Sequence, residues 1–531
     1  MSVIELRIAV KNIPTLDILS QSDPQVFLFL QKSYGVWEEY PNCKTEIIKN
    51  NSNPRFTTPL IMEYHFEELQ RIKLIVVDVD KFDNPRWQAQ EFVGEFITDI
   101  GSILGKQRGI MQGNLTRRVG EKRGEIIIAA REVRNENSRN YKFHISGYNI
   151  PISSFITKEK TYYEIVRIIG EAEFSVYRST SSSSKNPEWE PMYLSENDLW
   201  NNVNDNDNVK IGFKYFKHGR KNPKLLCNKI WSINDFIKNA GTLQRIVFEK
   251  HGEIRLSYKK EKTFLDYIEG GLEIQLSIAV DFTASNLDHE IDLHGINTNN
   301  SEYERAMHLV GTILEKYDSD DHIPVYGFGG KFYGNSIVSH NFLLNSDESS
   351  QATGISRSID IYKHSLQNVN LSGPTNFSPI IQTISNNLKK LISMQKNVYA
   401  ILLIITDGII SDLNNTIEVI MNATIYPLSI VIVGVGNANF SNMTLLADEL
   451  LSRKWDDNLK PRDIVHFVRI NDFIRDKINV DLPRAVLKEI PGQIMEYMKI
   501  HNIEPKILKK SDLYNELFSS SPPPYTSENN S

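Results

Sequence analysis

The chain contains only two cysteines, Cys43 and Cys227, among its 531 residues. Two cysteines exclude a disulfide framework and are too few for a cysteine-rich zinc module. Long apolar runs are missing as well, because no stretch reaches the roughly 18 apolar residues that a membrane-spanning helix needs. The opening residues, MSVIELRIAVKNIP, alternate like a strand and lack the apolar core of a signal peptide. We therefore expect a cytoplasmic protein without a permanent membrane anchor.

Excess positive charge and catalytic motifs are also absent. The formal net charge is −6, which excludes a basic protein that coats nucleic acid, so we expect no nucleic-acid partner. There is no P-loop or kinase motif, and no Ser/His/Asp arrangement stands out. The 12 histidines are scattered, and we expect His289 and His294 to be surface or structural residues. We therefore expect no enzyme.

What remains is the composition of a globular protein, with 40% hydrophobic and 24% charged residues. The length allows roughly three domains.

The most informative stretch of the sequence is LSIAVDFTASN, residues 276–286, in which an apolar run ends in Asp281, Thr283 and Ser285. Such a run is typical of a central parallel strand, and ligands bind beyond the carboxyl ends of these strands. The pattern predicts a site for a hard cation.

Two later segments return to the same predicted sheet edge. Thr375 lies in SGPTNFSP before a helical pattern, and Asp407 ends the apolar run AILLIITDG. Two carboxylates and three hydroxyls suit Mg²⁺ or Mn²⁺, with a coordination position left for a partner. We expect Thr283, Ser285 and Thr375 to bind the ion directly, and Asp281 and Asp407 to act partly through water.

Residues 1–132 read as short strands at the spacing of a β-sandwich. Acidic residues occupy two of the turns: Asp17 and Asp23 in LDILSQSDP, and Asp78 and Asp80 at the end of LIVVDVD, followed by Glu91. Residues two apart at a strand end point the same way, so these carboxylates can converge. Their mutual repulsion would be relieved by Ca²⁺, which takes six to eight oxygen ligands.

Residues 135–265 read as a second copy of this sandwich, because SSKNPEWEP repeats the Asn-Pro-x-aromatic signal of NSNPRF. Where the first copy has Asp78 and Asp80, this copy has residues such as Lys214 and Phe216, so the paired aspartates are gone and we expect no Ca²⁺ site in it. Its basic stretch predicts a contact with anionic lipid, and a solvated charged face is the alternative. The candidate lipid-contact residues are Lys214, Lys217, Arg220, Lys221 and Lys224.

Residues 270–503 alternate between strand and helix patterns, which predicts a mainly parallel sheet covered on both faces. From residue 505 to 531 we expect a disordered tail. It ends in SSSPPPYTSENNS, where Pro522, Pro523 and Tyr525 belong to a PPPY motif of the kind that WW-domain proteins bind.

Five segments in order make the chain resemble the copine family. They are VDFTASN, KYDSDDHIPVYGFGGKF, SGPTNFSPII, LLIITDG and VGVGNANF. The resemblance implies two tandem C2 domains followed by a Rossmann-like von Willebrand factor A domain. It further implies that Asp281, Thr283, Ser285, Thr375 and Asp407 form the metal-ion-dependent adhesion site of that domain.

The resemblance of the first copy to a C2 domain assigns its first four aspartates to calcium. Glu91 stands where that family usually has aspartate, after a longer loop, and Asp83 is the alternative ligand. Phe82 and Trp87 in the same loop can enter a bilayer interface or pack on the loop itself.

The resemblance implies a cytoplasmic protein that moves to the plasma membrane or intracellular membranes when Ca²⁺ rises, with the nucleus as a further location. It implies a role in signalling or membrane trafficking, in which the A domain is presented to protein partners. The alternative is a calcium-independent, membrane-associated scaffold. Plant relatives of copines that act as ubiquitin ligases carry a RING finger, which two cysteines cannot form.

Overall fold

A computed structural model of the chain describes residues 2–14, 21–118, 121–133, 141–152, 159–200, 209–218, 222–248, 252–289, 292–295, 301–333, 336–344, 354–443, 446, 461–473 and 482–519. They form two compact units, one of Met1–Glu132 with Thr263–Ser531 and the other of Val133–Lys262. Within these described ranges, no helix is both long and apolar enough to cross a bilayer.

Eight antiparallel strands form the first sandwich. They are β1 (Ser2–Lys11), β2 (Pro24–Ser33), β3 (Val36–Lys44), β4 (Leu60–Tyr64), β5 (Arg71–Asp78), β6 (Glu91–Asp99), β7 (Ile110–Thr116) and β8 (Lys122–Val133), with helix α1 (Ile100–Leu104). Their order is β3-β2-β5-β6-β7-β8-β1-β4, and one paired position, Glu95 with Thr116, joins the two halves. Leu6, Leu74 and Ile126 are fully buried in the core between the layers. The predicted sandwich is confirmed.

The second sandwich repeats this topology in its own unit. Its elements are β9 (Tyr141–Tyr148), β10 (Thr161–Ile169), β11 (Ala172–Arg178), β12 (Met192–Leu194), α2 (Glu196–Trp200), β13 (Val209–Lys217), β14 (Lys224–Ser232), α3 (Ile233–Lys238), β15 (Gln244–Val247) and β16 (Glu253–Lys260). The sheet orders are β11-β10-β13-β14 and β12-β9-β16-β15. These match β3-β2-β5-β6 and β4-β1-β8-β7 strand for strand, so the tandem repeat is present in the fold.

The α/β domain contains the remaining elements. They are α4 (Phe264–Glu269), β17 (Glu273–Asp281), α5 (Glu302–Leu314), β18 (Val325–Phe328), β19 (Gly330–Phe332), β20 (Phe342–Leu343), α6 (Gly354–Ser365), β21 (Val369–Leu371), α7 (Ser378–Ser393), β22 (Val398–Thr406), α8 (Leu413–Ala423), β23 (Leu428–Gly434), β24 (Val465–Arg469), α9 (Leu482–Leu487), α10 (Ile490–Ile500) and α11 (Asp512–Ser519).

The main sheet of this domain has the order β20-β18-β17-β22-β23-β24 and is parallel except for β20. All nine residues of β22 are buried, as a central strand covered on both faces requires. Val310 of α5 and Ile494 of α10 pack on one face, and Ile384 of α7 and Ile417 of α8 on the other. The predicted architecture is confirmed.

The first sandwich and the α/β domain share one core. The hydroxyls of Tyr64 and Tyr317 are hydrogen-bonded to each other, and the Phe66 ring lies 4.9 Å from the Tyr317 ring and 5.0 Å from that of Phe264. At Gly105 a Cβ atom would lie only 2.4 Å from the carbonyl oxygen of Lys316, so the two backbones touch. Two segments that the sequence predicts as separate domains therefore pack as one compact unit.

Replacing Tyr317 by alanine is expected to loosen both parts of this unit. The substitution removes a fully buried ring and leaves the Tyr64 hydroxyl without its partner, which costs about 3 kcal/mol or more. Hydrogen exchange measured by mass spectrometry should rise in both Leu60–Tyr64 and Glu302–Leu314. Tyr333→Ala, at a side chain that is 68% exposed, is the control. Faster exchange confined to the α/β domain would contradict a shared core.

The predicted disorder from residue 505 is wrong for residues 512–519. They form α11, in which Tyr514 and Leu517 pack on the first sandwich against Ala9, Ile127 and Ala129. The apolar residues recur at helical spacing, which is the signal that the proline-rich ending obscured. The PPPY residues Pro522, Pro523 and Tyr525 lie outside the described residues.

Candidate metal sites

The candidate metal site of the α/β domain lies at the carboxyl ends of two neighbouring parallel strands. Asp281 ends β17 and Asp407 follows β22, and the strands pair in register up to Val280 with Ile405. The side chains of Asp281 and Asp407 are fully buried, and Thr283 is 2% exposed. Parallel pairing therefore brings together two acids that are 126 positions apart in the sequence.

Hydrogen bonds link the oxygen atoms of the five predicted residues. The hydroxyls of Thr283 and Ser285 are 2.8 Å apart, and Ser285 Oγ donates to Asp407 Oδ1 at 2.9 Å. Thr375 Oγ1 lies 3.4 Å from Thr283 Oγ1. Asp281 accepts the Thr283 backbone N–H at 2.8 Å. All five residues thus meet in one place.

Asp281 is held by a residue that no sequence pattern singled out. Its second oxygen, Oδ2, accepts a hydrogen bond from the Thr406 hydroxyl at 2.5 Å. Both oxygens of Asp281 therefore have protein donors, while the hydroxyls beside it bond chiefly to one another. This arrangement fits an acid that acts behind the directly binding hydroxyls.

The two buried carboxyls are electrostatically unfavourable without a cation. Burial, together with the nearby charge of Asp407, raises the pKa of Asp281 to about 7. Burial raises the pKa of Asp407 to about 6, although its hydrogen bond from Ser285 acts in the other direction. A bound divalent cation favours the ionised carboxylates and so offsets the cost of burying them. The donor set of two carboxylates and three hydroxyls fits Mg²⁺ or Mn²⁺.

His289 also belongs to this site, contrary to our expectation of a surface or structural residue. Its Nε2 lies 3.1 Å from Asp407 Oδ2. The ring rests against the backbone of Gly436, where φ is +72° and a Cβ atom would come within 2.7 Å of His289 Cε1. His294 is structural as expected, since its ring stacks on Tyr303 at 4.4 Å and burial lowers its pKa to about 4.

The loop that carries Thr375 is fixed at both ends. The Thr375 N–H donates to Ser411 Oγ at 3.2 Å, and the Ser411 N–H donates to the Thr375 carbonyl at 2.7 Å. The Asp412 carboxylate accepts the backbone N–H groups of Phe377 and Ser378, each at 3.0 Å, at the start of α7. Ser411 and Asp412 therefore position Thr375, and the sequence pattern alone did not identify them.

The candidate calcium site of the first sandwich centres on Asp78. This residue is 2% exposed, and its Oδ1 accepts the Asp23 N–H at 2.6 Å. Its other oxygen, Oδ2, is buried and has no hydrogen-bond partner in the described part of the chain. Glu91 stands directly opposite Asp78 in the sheet. A buried carboxylate oxygen without a donor, beside a second acid, fits a site for a cation.

The other predicted ligands of this site are more exposed. Asp80, Asp83 and Glu91 are solvent-exposed. The side chain of Gln90 holds the intervening loop, since its Oε1 accepts the Asp80 N–H at 3.2 Å and its Nε2 donates to the Asn84 carbonyl at 2.6 Å. Gln90 is a positioning residue that sequence reasoning missed.

Asp17 lies outside the described residues. Within the described ranges, no three His, Cys, Asp or Glu side chains converge closely enough to hold a metal ion. The candidate α/β site is formed largely by hydroxyls, which are not among these residue types. At the candidate calcium site, the described acids Asp23, Asp78, Asp80 and Glu91 do not by themselves bring three carboxylates together. The complete calcium ligand set, including the choice between Glu91 and Asp83, remains a prediction.

Two of the predicted lipid-contact lysines in the second sandwich form ion pairs with glutamates. Lys214 is ion-paired with Glu173, and Lys217 Nζ lies 2.5 Å from Glu159 Oε1. Lys224 is exposed, and Arg220 and Lys221 lie outside the described residues. The sequence around these lysines contains no acid, but Glu173 on β11 reaches Lys214 on β13 across the intervening strand β10. The local sequence therefore led us to overestimate how many of these positive charges are unpaired.

Fold and sites together define a protein class in which two C2-type sandwiches precede a von Willebrand factor A-like domain. Residues 5–114 match the C2 domain family and residues 292–506 match the copine family. The chain is 34% identical to Copine-D of Dictyostelium discoideum, over 95% of this chain and 97% of that protein. It is 31% identical to Copine-A of the same organism, over 95% of this chain and 85% of that protein. The chain belongs to the copine family.

A solved structure with similarity to this chain is that of two C2 domains of Extended-Synaptotagmin 2, calcium bound. The sequence identity is 12% and the TM-score is 0.21, over 49% of this chain and 98% of that one.

Proposed function

We propose that this protein binds anionic phospholipid membranes in a calcium-dependent manner and presents its α/β metal site to protein partners. The calcium switch lies in the first sandwich, at Asp17, Asp23, Asp78, Asp80 and Glu91. Its consequence is movement from the cytosol to membranes when Ca²⁺ rises, in signalling or membrane trafficking. Binding, and not catalysis, is the activity that we assign.

The observation that carries this proposal is the environment of Asp78. A buried carboxylate oxygen without a donor is costly, and Glu91 directly opposite adds like charge. Without a cation, this acidic end of the sandwich repels a negatively charged membrane. Bound Ca²⁺ supplies the positive charge that offsets these carboxylates and attracts anionic headgroups.

The loop around Asp80 can add an apolar contact with the membrane. Phe82 is 55% exposed, with the Lys49 ammonium 4.8 Å from its ring centroid. Trp87 packs edge-on against Phe29 at 5.6 Å, so it belongs to the sandwich. Phe82 is therefore the aromatic residue of this loop that is available to enter the bilayer interface.

Phe82→Ala is expected to weaken vesicle binding in calcium by about fivefold, because burying half of such a ring contributes about 1 kcal/mol. Vesicle sedimentation with phosphatidylserine measures the effect. Tyr34→Ala is a matched control, because Tyr34 is 98% exposed in the turn at the opposite end of β2. Equal losses in both variants would contradict a membrane role for the Asp80 loop.

The α/β metal site supports a second contact. Its directly binding hydroxyls are neutral and its two carboxylates act behind them, so a divalent cation held there has a coordination position that can accept a carboxylate from a partner protein. The lysines of the second sandwich add a weak, calcium-independent contact with anionic lipid. Two weak membrane contacts on one chain reinforce each other through effective concentration.

A further inference from the structure

The second sandwich carries lysines where the first carries acids, and the strand registers show this directly. In the first sandwich, Asp78 is paired with Pro24, the first residue of β2, and with Glu91, the first residue of β6. In the second, Lys217 is paired with Thr161, the first residue of β10, and with Lys224, the first residue of β14.

An irregularity in the pairing confirms this alignment. The register of β5 with β6 shifts between Val76 and Val77, just before Asp78. The register of β13 with β14 shifts between Tyr215 and Phe216, just before Lys217. The bulge therefore falls at the same distance from the strand end in both copies. The sequence comparison aligned Lys214 and Phe216 with Asp78 and Asp80. The strand registers show that this alignment was wrong and that Lys217 is the residue equivalent to Asp78.

A backbone hydrogen bond extends the equivalence to a third position. The Asp23 carbonyl accepts the N–H of Val79 at 3.0 Å, and the Lys160 carbonyl accepts the N–H of His218 at 2.9 Å. Val79 and His218 directly follow Asp78 and Lys217. The three acids Asp23, Asp78 and Glu91 thus correspond to three lysines, Lys160, Lys217 and Lys224, which we call the three-lysine cluster.

In the first sandwich, the neighbouring negative charges favour binding of a cation. In the second, the neighbouring positive charges favour binding of an anion for the same electrostatic reason. Lys217 and Lys224 are directly opposite each other in the sheet. Like charges in this position repel each other and destabilise the strand pair. Glu159 offsets part of this charge at 2.5 Å from Lys217, while Lys160 and Lys224 are exposed. The cluster keeps a net positive charge and has ammonium donors that suit phosphate oxygens.

We propose that the three-lysine cluster is a phosphate-binding site, formed by charge inversion of a calcium-binding loop region. Its ligand is a phosphate monoester, carried either by an inositol phospholipid in a membrane or by a soluble inositol phosphate. The proposal refines the membrane contact that we assign to the second sandwich under the proposed function, by placing it at the loop end and not along the strands. It needs no calcium.

The test uses the full-length chain in chelator. Sedimentation is measured with phosphatidylcholine vesicles that contain a phosphatidylinositol bisphosphate, and calorimetry with soluble inositol trisphosphate. Lys160→Gln/Lys217→Gln/Lys224→Gln is compared with wild type and with a control, Lys210→Gln/Lys229→Gln/Lys259→Gln, which changes three exposed lysines elsewhere on the same sandwich. Circular dichroism confirms that both variants are folded.

Each lysine near an anionic surface contributes about fivefold, and Glu159 is present in both proteins, so the loss of three positive charges should lower the affinity by about 100-fold. The control should change less than about threefold. Binding of vesicles and not of soluble inositol trisphosphate would assign the lipid as the ligand, and binding of both would assign the phosphate group itself. Equal losses in the two variants, or wild type that binds neither probe, would overturn the proposal. Calcium-dependent binding to phosphatidylserine would survive that failure, because it depends on Asp78.

Discussion

Asp78→Asn combined with Asp80→Asn should abolish the calcium-dependent binding of this protein to phosphatidylserine vesicles. The substitution keeps the shape of both side chains but removes two negative charges from the candidate site. Even residues that only support metal ligands are worth about 10–100-fold in affinity, so we expect calcium affinity to fall by at least about 100-fold. Vesicle sedimentation across a calcium titration measures the shift directly.

Glu39→Gln combined with Glu63→Gln is the control for this variant. Both glutamates are exposed on strands of the first sandwich, β3 and β4, so the net charge changes equally. The control should keep its calcium response. Single variants Glu91→Gln and Asp83→Asn then decide which acid completes the site, because only the true ligand should shift the titration. Unchanged binding by the Asp78/Asp80 variant would remove the first sandwich from the calcium switch.

Asp407→Asn should abolish the stabilisation of the protein by Mg²⁺ or Mn²⁺. A ligand that binds only the folded state contributes about 2.7 kcal/mol at 100 times its dissociation constant. Thermal unfolding with and without metal measures this gain, which we expect for wild type and for the control Asp360→Asn, an exposed acid on α6. Metal stabilisation that persists in Asp407→Asn would contradict the site.

The same site predicts a dependence on pH. In the unfolded chain, aspartates ionise near pH 4, whereas burial in the fold raises the pKa of Asp281 to about 7 and that of Asp407 to about 6. Between these values the fold binds more protons than the unfolded chain, so this contribution to stability is lost as pH rises. Added Mg²⁺ should therefore stabilise the protein more at pH 7.5 than at pH 5. Equal stabilisation at both values would contradict this account.

The functional residues at the ends of strands could be predicted from the local sequence alone. The apolar runs before Asp281 and Asp407 predict buried parallel strands, and parallel strands must end at a common edge. The five metal-site residues could therefore be selected together. Alternating strands likewise predicted both sandwiches. In each case the signal lies within one short window of the chain.

The features that could not be predicted depend on pairing between distant segments. His289 reaches Asp407 because its ring fits against Gly436, which no spacing rule encodes. The correspondence of Asp78 with Lys217 depends on a bulge in each sheet, and one residue of slip moves a side chain to the other face. Helix α11 has eight residues, too few to be stable alone, and is held by packing on the first sandwich.

The shared core gives the two candidate metal sites a structural relation that separate domains would lack. The first sandwich and the α/β domain meet through Tyr64, Phe66 and Tyr317, so the calcium loops and the α/β metal site belong to one compact unit. We therefore expect a membrane contact at the Asp80 loop to fix where the candidate α/β metal site is presented. The second sandwich forms its own unit, with its own charge.

We propose above all that the acidic loops of the first sandwich need a divalent counter-ion before they can contact negatively charged lipid. The most direct test is sedimentation of the full-length wild-type protein with phosphatidylserine vesicles, in calcium and in chelator. We expect the protein to pellet with the vesicles in calcium and to remain largely in the supernatant in chelator. Equal pelleting in both conditions would contradict the proposed recruitment.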